Sequence, residues 1–368
     1  MKRYISLLLV FIFIFSLFGC SNPGNNPGPA IQNDTEKANS TVENGTQPQD
    51  ATLSSEPEVT TEPPIATGDL LITISKLTFS IVGESEDIYC GSLPRDVILW
   101  ESADETVAIV DSGVVTAVGV GTTTVTAQYR DQFVECTIGC LANDQEELES
   151  LPKEILHEPK KIPPVGDGQP CHFYDDAGII GDSVSYSLVL WASQNGEMGS
   201  ATFLVRGGNG ILGYVNRYCT LSFQGQEVSI EEAVQLSGVK KVFIMLGVND
   251  LGFMNVADTM TAFRTMVERI LEKSPDVEIY IESLLPVWDE GIQGAKNVAV
   301  DEFNGLLEQY AEENNFHYVE GASYIKDHTG GMAEAYCTDF STHMNYDGID
   351  AWMQALKLYA KTQSFEEN

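Results

Sequence analysis

Residues 181–183, Gly-Asp-Ser, have the types and order that a serine nucleophile needs. The apolar run 177–180 predicts a short buried strand, and Gly181 permits a tight turn after it. Ser183 then begins a stretch, 184–191, with the apolar spacing of a helix. A serine between a strand and a helix can expose its hydroxyl to a cleft, where the first backbone N–H groups of the helix face any anion that forms. The alternative is that Ser183 is only the N-cap of an ordinary helix.

Later polar turns supply the partners of such a nucleophile, and they comprise residues 206–210, 247–250 and 339–343. Acyl transfer needs a base to take the serine proton, a carboxylate to orient that base, and donors for the oxyanion. We predict Ser183 as the nucleophile, His343 as the base and Asp339 as the orienting acid. The backbone amides of Ser183 and Gly207 and the side-chain amide of Asn249 are the predicted oxyanion hole.

In this order, the blocks resemble the SGNH (GDSL) hydrolase superfamily over about residues 178–359. Gly-Asp-Ser at 181–183 and Gly-Val-Asn-Asp at 247–250 match its motifs. Gly207 is the expected glycine of the second block, with Gly208 as the alternative. The resemblance implies a flavodoxin-like α/β fold and a Ser-His-Asp acyl-enzyme mechanism that requires no metal and no organic cofactor.

The closing pair departs from the superfamily pattern. Three residues separate Asp339 from His343, whereas the usual pattern has two. Either the extra residue bulges out, or the acid role passes to a backbone carbonyl or to another carboxylate such as Asp327 or Asp347.

Other aromatic and imidazole side chains lack this context. Trp288 follows a predicted strand and either lines a sugar site or packs on the domain. We expect four histidines to be structural or exposed, namely His157, His172, His317 and His328.

Strand-like and helix-like patterns alternate from about residue 166 to the C-terminus, which predicts a parallel sheet covered by helices on both faces. Four further strands are predicted at 202–206, 241–246, 277–281 and 316–319. Ser229 and Glu232 have the spacing of a capping box at the start of one helix. The hydrolase domain is therefore predicted to occupy residues 166–368.

The N-terminus has the features of an export signal. A basic start precedes an apolar run from residue 4 to 18, too short for a membrane span, and Gly19-Cys20 resembles a lipoprotein lipobox. We expect residues 1–20 to be the signal segment and Cys20 to be acylated. Residues 21–68 are Pro-, Gly-, Asn-, Thr- and Ser-rich and predict a disordered tether.

Short alternating runs between residues 69 and 140 predict a small β-sandwich. Trp100-Glu101-Ser102 and the run 113–119 resemble the bacterial Ig-like group 2 (BIG2) repeat. That resemblance implies a spacer or a module with weak cell-wall or glycan contact. Residues 141–165, acidic and then Lys- and Pro-bearing, are predicted to be a linker.

The chain of 368 residues carries 54 acidic and 20 basic side chains, a formal charge of −34. Such a surface repels phosphate backbones, which argues against a nucleic-acid partner. Six cysteines follow Cys20; we expect them to be small buried hydrophobic residues, with a Cys90–Cys136 bridge as the alternative.

The sequence thus predicts an exported serine esterase, lipid-anchored to the outer face of a bacterial membrane, that removes acyl groups, chiefly acetyl, from carbohydrate. An acyltransferase or a lipase using the same residues is the enzymatic alternative. A non-catalytic glycan-binding adhesin is the alternative from a different class.

Overall fold

The computed structural model describes residues 70, 74–88, 93–164, 169–288 and 295–363. The predicted signal segment with Cys20, the predicted tether and Cys90 lie outside these ranges. No helix within them combines the length and apolar composition needed to cross a membrane.

Residues 74–162, here called the N-terminal β region, form two sheets. The larger has the strand order β3-β6-β7-β1-β8 and the smaller β2-β5-β4. The strands are β1 Lys76–Ile81, β2 Ser85–Asp87, β3 Leu99–Ser102, β4 Ala108–Asp111, β5 Val114–Ala117, β6 Gly121–Tyr129, β7 Gln132–Ala142 and β8 Lys161–Ile162.

One apolar core joins the two sheets. Alternate residues of β6 point inward, among them Val125, and Ile138 on β7 is fully buried beside it. Val115 of the smaller sheet belongs to the same cluster. The region is therefore a two-layer β structure, and its Ig-like character stays a prediction.

The predicted linker has regular structure. It contains the short helices α1 Gln145–Glu149 and α2 Lys153–Leu156, followed by β8. Asp144 caps α1 by accepting a hydrogen bond from the backbone N–H of Glu147. Because β8 pairs antiparallel with β1, the end of this segment is the edge of the larger sheet.

Residues 169–363, here called the α/β region, contain five parallel strands in the order β10-β9-β13-β14-β15, and a separate hairpin, β11-β12. The strands are β9 Ala177–Gly181, β10 Thr202–Val205, β11 Leu221–Phe223, β12 Gln226–Val228, β13 Lys241–Met245, β14 Glu278–Glu282 and β15 His317–Val319. The helices are α3 Ser183–Asn195, α4 Ile211–Val215, α5 Ile230–Ser237, α6 Val248–Leu251, α7 Val256–Lys273, α8 Asn297–Asn314 and α9 Tyr346–Gln363.

This architecture confirms the predicted α/β fold class with a parallel sheet. All five residues of β9 are buried, as expected for a central strand covered on both faces. The capping box of Ser229 and Glu232 at the start of α5 is present. The first strand along the chain, β9, lies between the second and the third, so the switch in strand order falls at the carboxyl end of β9.

The described cysteines divide between the two regions. Cys136 and Cys140 are buried in the N-terminal β region, as their position in the strand pattern predicts. Cys171, Cys219 and Cys337 are only partly buried, because they pack against the rim of the α/β core. The Cys90–Cys136 alternative involves a residue outside the described ranges.

Candidate active site

Ser183 is the first residue of α3, directly after the turn that ends β9. Helix and strand approach so closely that a Cβ on Gly181 would lie 1.9 Å from Ser185 Oγ, so only glycine fits. Asp182 is the N-cap, and its Oδ1 accepts a hydrogen bond of 2.9 Å from the backbone N–H of Val184. Asp182 therefore performs the capping that sequence alone left open for Ser183, and the Ser183 hydroxyl has another partner.

That partner is His343. Its Nε2 lies 3.0 Å from Ser183 Oγ, although 160 residues separate the two in the chain. Its Nδ1 lies 2.5 Å from Asp339 Oδ2. The structure thus brings together the three side chains that the sequence predicts as nucleophile, base and orienting acid, in the geometry that proton transfer requires.

The extra residue between Asp339 and His343 is absorbed by a compact turn. Asp339 Oδ1 accepts hydrogen bonds from the backbone N–H groups of the last three residues of the turn, Ser341, Thr342 and His343. Phe340 has a left-handed φ of 52°, which is rare for a residue with a side chain and lets the chain fold back in one step. Of the two alternatives that the sequence left open, the structure has the bulge, and it is centred on Phe340.

The alternative acids are placed elsewhere. Asp327 Oδ2 lies 2.6 Å from His157 Nδ1, not near His343. Asp347 lies in the first turn of α9, and Asp339 is the carboxylate that contacts the His343 ring.

Asp339 is electrostatically suited to hold an imidazolium. Burial opposes its ionisation, but the hydrogen bonds from the side chain and backbone of His343 outweigh burial and lower the pKa of Asp339. The carboxyl group is therefore a carboxylate at neutral pH, where it can orient His343 and stabilise its protonated form.

Gly207 lies beside the nucleophile. A Cβ on Gly207 would be 3.9 Å from the Cβ of Ser183, whereas a Cβ on Gly208 would meet nothing within 4 Å. The structure thus places Gly207, and not Gly208, next to Ser183.

Asn249 is in the predicted place, but its donors are engaged. Its Nδ2 donates to Asp182 Oδ2 at 3.0 Å and to the backbone oxygen of Asn209 at 2.8 Å. An amide nitrogen has two hydrogens, so one of these bonds must yield before Asn249 can donate to an oxyanion.

Two buried carboxyl groups hold these loops together, and the sequence interpretation gave neither a role. Burial raises the pKa of Asp182 to about 6, against the hydrogen bond from Val184. Asp250 accepts hydrogen bonds from the backbone N–H groups of Ile211 and Leu212 and so ties the 206–210 loop to the turn that carries Asn249. In the sequence, each of these residues is the Asp of a motif block, Asp182 of Gly-Asp-Ser and Asp250 of Gly-Val-Asn-Asp.

Trp288 is packed rather than open, as one of the two interpretations predicts. It is 9% exposed and contacts the rings of His157 and Phe340. All four remaining histidines have their own partners: His157 pairs with Asp327, His172 pairs with Asp175, His317 stacks on Tyr280, and the His328 ring hydrogen-bonds Ser80.

A narrow recess of about 10 Å³ adjoins the site. Asp182 and Thr342 line it on the polar side, and the apolar part comprises Val184, Met245, Val248, Leu284, Leu285, Pro286 and Val287.

In the described part of the chain, no group of three or more His, Cys, Asp or Glu side chains comes together as a metal site.

One edge of the parallel sheet carries Ser183, His343 and Asp339 together. This set of side chains is typical of the class of serine-dependent hydrolases. Residues 179–351 match the model of the GDSL-like Lipase/Acylhydrolase family. The matched segment contains the motif blocks by which the sequence resembles this family, Gly-Asp-Ser at 181–183 and Gly-Val-Asn-Asp at 247–250.

Solved structures with similar folds include a GDSL-like lipase from Bacteroides thetaiotaomicron, which is 20% identical with a TM-score of 0.41 and covers 53% of this chain and 92% of its own. A carbohydrate esterase family 3 protein from Talaromyces cellulolyticus is 13% identical with a TM-score of 0.38, and the match covers 52% of this chain and 98% of that one. The catalytic domain of peptidoglycan O-acetyltransferase A from Streptococcus pneumoniae is 14% identical with a TM-score of 0.38, and the match covers 52% of this chain and 95% of that one. No curated protein matches the chain.

Proposed function

We propose that the α/β region is a serine esterase that releases short acyl groups, chiefly acetyl, from carbohydrate through an acyl-enzyme intermediate. The observation that carries this proposal is the continuous contact of Ser183 Oγ with His343 Nε2 and of His343 Nδ1 with Asp339. The GDSL-like family of residues 179–351 supports ester hydrolysis as the reaction.

The geometry supports a two-step reaction. His343 Nε2 takes the proton of Ser183 as Oγ bonds to the carbonyl carbon of the ester, and Asp339 stabilises the resulting imidazolium. The tetrahedral intermediate then collapses; the alcohol leaves with the proton from His343, and the acyl group stays on Ser183. A water molecule that gives its proton to His343 attacks this second ester, and the acid product leaves as Ser183 recovers its proton.

The oxyanion of both steps forms beside the start of α3. We assign its stabilisation to the backbone N–H of Ser183 and of Gly207, with Asn249 as the third donor. Asn249 joins them when its hydrogen bond to the Asn209 carbonyl or to Asp182 is exchanged for the oxyanion. Each such donor contributes about 10²–10³ in turnover in comparable sites.

The size of the recess beside the site supports a short acyl group. The recess is narrow and its lining is largely apolar, which suits a short acyl group better than a long chain. Phe340, 59% exposed, supplies an aromatic surface in the turn that carries Asp339 and His343. Such a surface suits the apolar face of a sugar ring, which is why carbohydrate is the proposed carrier of the ester.

We also propose that the protein acts at the outer face of a bacterial membrane, to which acylated Cys20 anchors it. The export signal and lipobox at residues 1–20 and the polar segment 21–68 support this placement. The N-terminal β region is proposed as an Ig-like spacer that can contact cell wall or glycan. Replacing Cys20 with Ala should release the protein from the membrane fraction; retention of the variant there contradicts the anchor.

The activity is tested with the mature chain and a chromogenic acetate ester. We expect hydrolysis by the wild-type protein, covalent labelling by a fluorophosphonate, and loss of both in Ser183→Ala, with the folded state unchanged. Release of acetate from a panel of acetylated glycans then identifies the substrate. Unchanged turnover in Ser183→Ala contradicts the assignment of the nucleophile, and release only of long-chain acids contradicts the assignment of the acyl group.

A further inference from the structure

The turn that carries Asp339 and His343 rests on a buried tryptophan. The rings of Trp288 and Phe340 meet edge to face with centroids 5.4 Å apart. The backbone N–H of Trp288 also donates to the carbonyl oxygen of Ser341 at 2.8 Å. Trp288 thus contacts the turn through both its ring and its backbone.

On its other side, Trp288 contacts the segment that leads in from the N-terminal β region. The His157 ring lies 5.0 Å from the Trp288 ring, centroid to centroid, with the planes tilted by 30°. His157 is itself held in place: its Nδ1 is 2.6 Å from Asp327 Oδ2, and its carbonyl accepts from the backbone N–H of Glu334 at 3.1 Å. A fixed ring outside residues 169–363 therefore supports the tryptophan.

The supported turn is held internally by hydrogen bonds that Asp339 Oδ1 accepts from the backbone N–H groups of its last three residues. It is outside regular secondary structure, and the side chains of His343 and Asp339 are 40% and 36% exposed. Phe340 is held at a left-handed φ of 52°, which is costly unless its surroundings fix it. Proton transfer from Ser183 depends on the position of this turn, because a displacement of about 1 Å at a reacting group can cost about 10² in rate.

We propose that His157 is a positioning residue for His343, acting through Trp288 and the 339–343 turn. This inference rests on the proposed esterase function. It makes the predicted linker, residues 141–165, part of the apparatus that aligns the active site, rather than a passive connection.

Two substitutions distinguish the contribution of the His157 ring from that of its hydrogen bond. His157→Gln can keep a bond to Asp327 but removes the ring against Trp288. His157→Phe keeps the ring and removes the bond. We expect kcat on an acetate ester to fall about fivefold in His157→Gln with little change in KM, because the substrate contacts are intact and only alignment is lost. In His157→Phe, kcat should stay within about twofold of wild type although the protein is less stable, because the Oδ2 atom of buried Asp327 loses its partner His157.

A control is available at the same interface. Ser80 Oγ, on β1, is 3.1 Å from Nδ1 of buried His328, so its partner is a different histidine from the one that stacks on Trp288. Ser80→Ala should therefore lower stability without changing kcat. The proton between His343 Nδ1 and Asp339 gives a second readout by NMR: its downfield signal should persist in Ser80→Ala and His157→Phe and broaden or shift in His157→Gln.

Three outcomes overturn the inference: wild-type kcat and an unchanged downfield signal in His157→Gln, a larger loss of kcat in His157→Phe than in His157→Gln, or an equal loss in Ser80→Ala. The failure of the proposed function looks different. In that case, the wild-type turnover itself does not depend on Ser183, whatever the His157 variants do.

Discussion

The N-terminal β region and the α/β region both consist of apolar strands joined by polar turns, but they differ in strand direction. Most neighbouring strands of the first are antiparallel, such as β6 and β7, so its turns are divided between two ends. The five strands of the sheet that contains β9 are parallel, so the turns that follow them converge at one edge. Ser183, Gly207 and Asn249 follow three neighbouring strands and therefore meet, which explains why the proposed catalytic residues are concentrated in one region.

The two regions also differ in what they bury. Among the described residues, every carboxyl side chain that is buried belongs to the α/β region, and the set is Glu197, Asp182, Glu231, Asp250, Glu282 and Asp327. Burial raises the pKa of Asp182 to about 6 and that of Glu282 to about 7. A buried carboxylate lowers the free energy of unfolding at neutral pH. The region with the proposed active site is therefore the one whose buried charged groups destabilise it.

Among the substitutions that test this difference between the two regions, one of the largest effects is expected at Asp339. Replacing it with Asn keeps an oxygen that can accept the three backbone N–H bonds of the turn but removes the charge beside His343. We expect turnover to fall by about 10⁴ because the imidazole loses its orienting carboxylate. Steady-state kinetics with an acetate ester measures this loss.

Asp347→Asn is the matched control, since Asp347 was the competing candidate on α9. It should retain wild-type turnover. Equal losses in the two variants would mean that Asp339 is not the specific partner of His343.

Gly207→Ala and Gly208→Ala separate catalysis from backbone strain. The first adds a methyl group 3.9 Å from the Ser183 Cβ, where the ester must approach, and should lower kcat/KM by about 10- to 100-fold. The second faces open space at a φ of +69° and should cost about 1 kcal/mol of stability with turnover retained. The opposite distribution of losses would show that Gly208, not Gly207, lines the site.

Glu282→Gln should stabilise the protein in a pH-dependent manner. Burial raises the Glu282 pKa from 4.5 to about 7, although Trp352 Nε1 donates a hydrogen bond of 3.2 Å. Since the folded pKa is above the unfolded one, the wild type loses stability as the pH rises from about 4.5 to about 7. The gain from Gln should be about 1–3 kcal/mol at pH 8 and close to zero at pH 4.5.

Chemical denaturation at the two pH values measures this difference. Exposed Glu302 on α8 provides the control, because Glu302→Gln should have the same small effect at both. A gain in Glu282→Gln that is equal at both pH values contradicts the burial argument.

The smallest effect is expected in the core of the N-terminal β region. Ile138→Val removes one buried methyl group and should cost about 1 kcal/mol of unfolding free energy. Turnover should be unchanged, because Ile138 belongs to the apolar cluster between the two β sheets, whose members do not include His157, Trp288 or a residue of the 339–343 turn. A parallel loss of kcat would show that the core of this region, and not only its linker, affects the active site.

Local patterns sufficed to predict much of this molecule. The apolar run before Ser183 and the alternating patterns after it predict β9 and the remaining parallel strands, and Ser229 with Glu232 predicts the start of α5. These features depend on neighbours in sequence, where periodicity and capping chemistry are informative.

The rest depends on contacts through space. The left-handed φ of Phe340 is set by the capping of a whole turn by Asp339, which residue types alone do not reveal. The roles of Asp182 and Asp250 required the positions of loops from other strands. The contact of His157 with Trp288 joins residues 131 positions apart, and nothing in either local sequence indicates it.

In the proposed mechanism Ser183 and His343 act as one catalytic unit, and a double-mutant cycle measures their coupling. The turnover of Ser183→Ala, His343→Ala and the double variant should be measured on the same acetate ester, with stability checked for each. We predict that each single change lowers kcat by about 10⁴ or more and that the double variant is no slower than the slower single one. Losses that multiply in the double variant, or substantial activity in Ser183→Ala, would contradict the account.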